Sequence, residues 1–364
     1  MRKQARLGLF LMGFLGLGKT VFSYPEMIRH GYNNCTSCHV SPTGGGVLTE
    51  YGRSLSEEVM SVWSAKGESG FLYGALPTTQ RFQLGGDIRG LRLQQSSSRK
   101  STGKTVFMQG DLEGALKLGK WSALVSAGVE EGEKDSLSLI SRRHWMGYQV
   151  NENILVRAGK FQRAFLFNTA EHETLIKQAS GMDVGTETYN IEGSYLSEGG
   201  EFFLTANLGR PDKTSLDVES GTTVKGAVMI GKISKVGLQY DYERNSQRTQ
   251  HLMGPYLALG LSERAVILTE AALNRGARTG TEVGNGLTTY TRLSYEPYRG
   301  VWIYGIHEWT QPNFKDPTAF HVGSLGVQLF PRPHFEFNFM VQRQWLPEPA
   351  GKMDLALLVG HYYL

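Results

Sequence analysis

The sequence is short of cysteine. Cys35 and Cys38 are the only two in 364 residues, which excludes a disulfide scaffold and a four-sulfur zinc site. Proline is scarce, at 12 residues, while glycine is abundant, at 45. That mixture suits a β-rich chain with many tight turns and excludes long proline-rich linkers. No apolar run is long enough for a membrane helix. Net charge is only +4, and Arg2, Lys3, Arg6 and Lys19 account for it; setting these four aside leaves 34 residues of each sign. A neutral remainder gives no electrostatic footprint for nucleic acid, so no nucleic-acid partner is expected. There is also no nucleophile–base–acid set, no Gly-rich phosphate loop and no zinc-protease spacing.

What is present begins with a leader. Residues 1–23 read as a secretory signal peptide: a basic start, the apolar stretch Leu7 to Leu17, and small Val21 and Ser23 ahead of a cleavage point before Tyr24. A retained membrane anchor is the alternative. Export to an oxidising compartment frames the next feature, Cys35-Thr36-Ser37-Cys38-His39. The spacing Cys-x-x-Cys-His is the attachment signature of a c-type haem. Two thiols add across the two vinyl groups of one porphyrin, and the histidine is then placed under the iron as an axial ligand. One haem c is the expected cofactor, held by Cys35 and Cys38 and ligated by His39.

Residues 24–78 form a small haem segment. Val40 to Gly46 (VSPTGGG) is not helical, and its three glycines permit a sharp turn beside a flat ligand. Leu55 to Trp63 reads as an amphipathic helix with Leu55, Val59, Val62 and Trp63 on one face and Ser54 or Ser56 as its cap. About 50 residues make a poor core alone, and a haem would supply the missing apolar mass. Three neighbours can donate a sixth ligand: Met27, His30 and Met60. His30 lies five residues before Cys35, a reach of about 16 Å when extended. An open site is the fourth possibility. Arg29 and Arg53 are candidate contacts for the haem propionates.

Residues 79–364 alternate. Phe335, Phe337, Phe339 and Val341 interleave with Glu336, Asn338, Met340 and Gln342; Tyr189, Ile191, Gly193 and Tyr195 do so with Asn190, Glu192 and Ser194. Such strands belong to a half-exposed sheet or a transmembrane barrel. About 16 strands can be counted, 80–95 and 136–150 among them. Their connections alternate between short turns and longer polar segments, such as 96–103, 162–184 and 275–284, as in an outer-membrane barrel. The expectation is a mainly β chain: a transmembrane antiparallel β-barrel of about 16 strands, preceded by a small, partly helical haem domain. The third long connection, 162–184, is placed to fold inward. Its Glu171-His172-Glu173 offers oxygen and nitrogen ligands for a first-row divalent metal, against the plainer reading of a solvated loop.

The leader, the single Cys-x-x-Cys-His and the barrel together resemble the fused monohaem cytochrome–porins of the bacterial outer membrane, best known from iron-oxidising bacteria. Leu48-Thr49-Glu50-Tyr51-Gly52-Arg53 is similar to a stretch that often follows the haem motif there. The resemblance implies a haem domain in or under the barrel. It implies electron transfer from an extracellular donor, typically ferrous iron, to periplasmic carriers, with outer-membrane lipid around the barrel. The chain is shorter than typical members, and Gly44 to Gly46 has no match. Two further readings remain: a diffusion channel with the haem domain as plug, and a haem-based redox or gas sensor.

Overall fold

The computed structural model describes residues 24–364, apart from 77–78, 98–100, 132–136, 170, 172–173, 183–184, 212–218, 279–280, 317 and 348–350. Seventeen strand segments follow in chain order: Phe82–Ser97 (β1), Ser101–Leu118 (β2), Trp121–Glu131 (β3), Leu137–Ile140 (β4), His144–Gln149 (β5), Ile154–Phe161 (β6), Thr188–Ser197 (β7), Gly200–Asn207 (β8), Ser220–Ile230 (β9), Ser234–Arg244 (β10), Arg248–Ser262 (β11), Ala265–Arg278 (β12), Thr281–Tyr298 (β13), Val301–Gln311 (β14), Phe320–Leu329 (β15), Phe335–Trp345 (β16) and Lys352–Tyr363 (β17). Each pairs antiparallel with the next, except β4 and β5, which do not pair with each other. Because β4 and β5 both pair with β3, they are halves of one strand, and the barrel has the sixteen strands expected. β1 pairs with β17 from Asp87↔Tyr363 to Ser97↔Met353, which closes the ring. The amide of Leu364 donates to Gly86 O (2.8 Å) and fastens the same seam.

The alternation is inside out relative to a soluble protein. On β7, Ile191 is 50% exposed while Asn190 and Glu192 are 1% exposed; on β10, Leu238 is 70% exposed and Asp241 is fully buried. Leaving a large apolar side chain in water forfeits about 1.5–3 kcal/mol, and dozens of such residues face outward. Hydrocarbon removes that penalty, so this is the lipid-facing belt of a transmembrane barrel. Trp121, Tyr148, Tyr195, Tyr295 and Tyr298 are exposed near the short turns, as interfacial aromatics are.

Two expectations are corrected here. The strand expected at 136–150 breaks at Ser141–Arg143. Arg142 and Arg143 are consecutive, yet both turn inward: Arg142 Nε reaches Asp111 Oδ2 (3.0 Å) and Arg143 Nε reaches Glu113 Oε1 (3.5 Å). A continuous pleat sends neighbours to opposite faces, so the backbone leaves the ladder to admit both. The connections expected at 96–103 and 275–284 are largely strand, because the polar ladder continues past the membrane belt. There Arg92 donates to Thr105 Oγ1 (2.9 Å) and Gln94 to Ser101 Oγ (2.8 Å).

Residues 24–76 lodge in the short-turn end. Asn33 Nδ2 donates to Ser197 O (3.0 Å) and Glu198 O (2.9 Å). Arg29 Nε donates to Glu263 O (2.9 Å). The amide of Val62 donates to Phe330 O (2.8 Å), and Tyr73 Oη to Pro333 O (3.2 Å). From the opposite end, the segment after β6 folds into the lumen. Its Leu166 amide donates to Gln239 Oε1 (2.8 Å), its Phe167 amide to Glu270 Oε2 (3.0 Å) and its Leu175 amide to Glu308 Oε1 (2.6 Å). Those carboxylates and the amide lie on β10, β12 and β14, so the segment crosses the lumen. A short helix, Leu175–Ser180 (α2), packs with Leu166, Tyr290 and Tyr304 in one buried cluster. The two intrusions meet where Asn168 Nδ2 donates to Thr43 O (3.2 Å).

Candidate cofactor site in the lumen

The cysteine motif forms one helical turn. The amides of Cys38 (3.3 Å) and His39 (2.9 Å) both donate to Cys35 O. Asn34 Oδ1 caps the turn by accepting from Thr36 Oγ1 (2.8 Å). His39 then forms a β-bridge with Leu48, and the Val40 amide donates to Val47 O (3.0 Å), which pinches off residues 41–46. Gly44, Gly45 and Gly46 all lie in the left-handed region, at φ 78°, 70° and 66°, where other residues are strained. A side chain at Gly46 would also collide with Glu113 and Arg143.

The stretch Leu48 to Arg53 wraps the motif. The Thr49 amide donates to Cys38 O (2.7 Å), and Thr49 Oγ1 donates to Ser37 O (2.6 Å). The same oxygen accepts from the Gly52 amide (3.0 Å), capping the helix Glu50–Leu55 (α1). The helix thus begins five residues before the expected Leu55, capped by Thr49 rather than by Ser54 or Ser56. It continues through a π-turn, Ser56–Met60, and Val62 and Trp63 are exposed instead of joining an apolar face. Gly52 packs so closely on Cys38 that an added Cβ would overlap the Cys38 backbone. Gly52→Ala is therefore expected to destabilise the segment by about 1–3 kcal/mol and to lower the yield of any group attached at Cys38. Thermal unfolding and covalent occupancy of the variant check this.

The motif opens onto two adjoining cavities. One holds about 1120 Å³ of empty space and is lined by Cys38, His39 and Met60, with Asp87, Arg143 and His361 opposite. The other, about 710 Å³, is lined by Cys35, Ile28, and Phe165 to Phe167. Tyr24, Thr43, Gln162 and Asn168 line both. His39 Nδ1 is buried without a partner. Burial, and then Arg143, push the His39 pKa down to about 4, so its imidazole is neutral near pH 7 and keeps a lone pair. Two thiols, a neutral imidazole and contiguous space with apolar walls and a charged far side suit a covalently held haem.

The other predicted residues are placed as follows. Met60 shares the His39 cavity. Met27 is fully buried in an apolar cluster with Cys38, Leu55, Met60, Trp302 and Phe330. His30 lines neither cavity, although its Nε2 is buried without a partner; burial, and then Arg29, lower its pKa. Arg29 and Arg53 also line neither. Arg29 is paired with Glu296 and stacks 4.4 Å over Trp302, and Arg53 donates to Leu48 O (2.9 Å) and Leu84 O (3.3 Å). Both hold the fold; Arg89 and Arg143 line the first cavity, and Arg163, Lys225 and Lys235 line the second. Glu171 is likewise corrected as a metal ligand. It is buried against Arg292, whose Nε also lies 3.2 Å from Glu26, so a protein cation already neutralises it. His172 and Glu173 lie outside the described residues, as does the leader.

Sequence reasoning missed the far wall of the cavity. His361 is held between two carboxylates, with Nδ1 2.8 Å from Glu336 Oε2 and Nε2 2.8 Å from Asp87 Oδ1. Its inward phase on the last strand was the available signal, but only the closure of β1 on β17 brings Asp87 to it.

No family model matches the chain, and no curated protein does. Solved structures do. Pseudomonas putida OprB, in its high-pH structure, superposes with a TM-score of 0.65 at 10% identity, covering 84% of this chain and 99% of OprB. The outer membrane channel DcaP of Acinetobacter baumannii gives 0.57 at 13% identity, with 79% and 99% covered. An anion-selective porin from Comamonas acidovorans gives 0.59 at 12% identity, with 78% and 99% covered. The chain has the fold of the outer-membrane porins and channels.

Proposed function

We propose that this chain is an outer-membrane monohaem c-type cytochrome housed in a porin-like barrel. It would pass electrons between an extracellular donor, ferrous iron being one candidate, and periplasmic carriers. The observation that carries the reading is the position of Cys35, Cys38 and His39, inside the lumen where the N-terminal segment meets the inward loop. In outer-membrane barrels the short turns are periplasmic, so residues 24–76 would face the periplasm and the inward loop the cell exterior. The hydrocarbon slab is about 30 Å thick, and a redox group inside the lumen would shorten the distance left to cross.

Cys35 and Cys38 would hold the haem and His39 would ligate it, with Met60 the nearest of the sixth-ligand candidates by shared cavity. Arg89 and Arg143 would neutralise its carboxylates. When bound, haem supplies one-electron iron chemistry. The cluster of Phe165, Leu166, Ile176, Tyr290 and Tyr304 packs across the lumen beside this space.

A second reading, a diffusion channel with residues 24–76 as plug, is favoured by the likeness to proteins described as channels and porins. Proteoliposomes separate the two. An electron conduit is expected to let a membrane-impermeant reductant on one side reduce an acceptor enclosed on the other, with solute flux near that of protein-free vesicles. Solute flux without electron transfer would overturn it in favour of the channel.

A further inference from the structure

The last part of the N-terminal segment, residues 62–76, is fastened across two neighbouring short turns. The amides of Val62 (2.8 Å) and Trp63 (3.2 Å) donate to Phe330 O and Pro331 O, between β15 and β16. Arg299, between β13 and β14, donates to Glu58 O (3.1 Å) and Val62 O (3.4 Å). His334 Nε2 lies 3.0 Å from Glu68 O, and Tyr73 Oη donates to Pro333 O (3.2 Å). The apolar side chains of this stretch divide. Phe71 is buried, whereas Trp63, at 55%, and Leu72, Tyr73 and Leu76 are exposed. Leu72 and Tyr73 are consecutive non-glycine residues in the left-handed region, at φ 49° and 57°, a conformation that L-residues seldom adopt. Arg332 stacks 4.7 Å over Trp63 and 5.8 Å over Tyr73 and is itself paired with Glu68, so one guanidinium holds both rings.

The exposed patch continues onto the outer wall of the barrel. Tyr73 lies 6.5 Å from Tyr362, and Tyr362 lies 4.8 Å from Phe335, ring centre to ring centre. Tyr362 shares the outward phase of β17 with exposed Leu358, and it pairs with Ile88 on β1, which is also exposed. Phe335 shares the outward phase of β16 with exposed Phe337. Tyr73 therefore joins the patch on residues 62–76 to the lipid-facing belt.

We infer that residues 62–76 are a membrane foot: Trp63, Leu72, Tyr73 and Leu76 enter the lipid leaflet on the short-turn side and contact its phospholipid. Tryptophan and tyrosine favour the headgroup level of a bilayer, where one end of the ring system is apolar and the other wet. Leucine beside them adds apolar area that the acyl boundary removes from water. Arg332 suits the same level. Its side chain is half-exposed, and a guanidinium can meet a lipid phosphate while its stem stays among apolar groups. A protein partner is the poorer occupant, because the patch adjoins Ile88 and Phe337, which already face lipid. The inference rests on the barrel fold and needs no bound haem.

The test is photo-crosslinking of the full chain in isolated outer membranes. The photoreactive residue p-benzoylphenylalanine replaces Leu72 or Leu76, and intact-protein mass spectrometry reads the products. Phe337, on the lipid face of β16, is the positive control, and Glu50, exposed on α1, is the negative one. Adducts of phospholipid mass are expected from Leu72 and Leu76 at no less than about half the yield from Phe337 and at least fivefold the yield from Glu50. Tryptophan fluorescence gives a second reading without a bulky substitution. In phosphatidylcholine vesicles brominated just below the headgroup, the part of the emission that Trp63→Phe removes should be quenched at least twofold relative to unbrominated vesicles. Adduct yields at both leucines no higher than at Glu50, adducts of protein mass in place of phospholipid, or a Trp63 emission that bromine leaves unchanged would each overturn the inference.

Discussion

Protein exported by a host that matures c-type cytochromes is expected to keep its haem through denaturation and acid–acetone extraction. Cys35→Ala/Cys38→Ala is expected to lose all of it. The warrant is geometric as well as sequential. Cys38 and Cys35 line two adjoining cavities that share four lining residues, and no third cysteine exists to substitute. Each single variant should retain haem through one thioether, at lower yield. His39→Ala should retain the covalent link and change the visible spectrum, since it would remove the proposed axial ligand and leave both thiols. The pyridine haemochrome spectrum of extracted protein measures covalent attachment in all four, and the spectrum of the native protein, where pyridine has not replaced the axial ligands, reads the His39→Ala change. Wild-type protein without covalent haem would sink the proposed function, and would leave the barrel fold untouched.

The second large effect is expected at Arg29. Its guanidinium and the Glu296 carboxylate are both buried, at 2% and 10% side-chain exposure, and the pair joins the N-terminal segment to β13. Removing one partner of a buried pair strands the other charge, which costs about 3–5 kcal/mol. Arg29→Ala should therefore raise the undocked fraction of residues 24–76 by roughly a hundred- to several-thousandfold. Cleavage of this segment by added protease, with the barrel left intact, reads that fraction directly. Single-channel conductance in planar bilayers should rise in parallel as the short-turn end opens. Arg29→Ala/Glu296→Ala should recover much of the loss, because the stranded carboxylate goes too. If Arg29→Ala is cleaved no faster than wild type, the segment is held by its apolar cluster rather than by this pair.

The barrel was legible because alternation is a local signal. Ile191 and Tyr195 against Asn190 and Glu192 state the period directly, and connection length states the membrane's two sides. The strand breaks were not legible. Arg142-Arg143 looks like part of an ordinary strand until Asp111 and Glu113, two strands away on β2, show why both must turn inward. The same limit explains Arg29 and Arg53. Proximity to the motif in sequence made them propionate candidates, but their partners Glu296 and Leu84 are contributed from 267 and 31 residues away. The cations that face the motif's cavity, Arg89 on β1 and Arg143 in the break before β5, come together only when β1, β2, β3 and β5 pair in turn. Helix α1 was misplaced by a smaller matter: the capping oxygen of Thr49 outweighs the amphipathic pattern that begins at Leu55.

The seam described above has a consequence for the order of assembly. Tyr363 and Leu364, at the end of the last strand, line the motif's cavity. Tyr363 Oη also lies 2.8 Å from Ser56 Oγ of the N-terminal segment. The first and last parts of the chain are thus finished against each other. Cys38 is 2% exposed inside the closed ring, beyond the reach of any enzyme outside it. Whatever is joined to that thiol has to be joined while residues 24–76 are undocked, so any covalent maturation comes before this segment docks in the lumen.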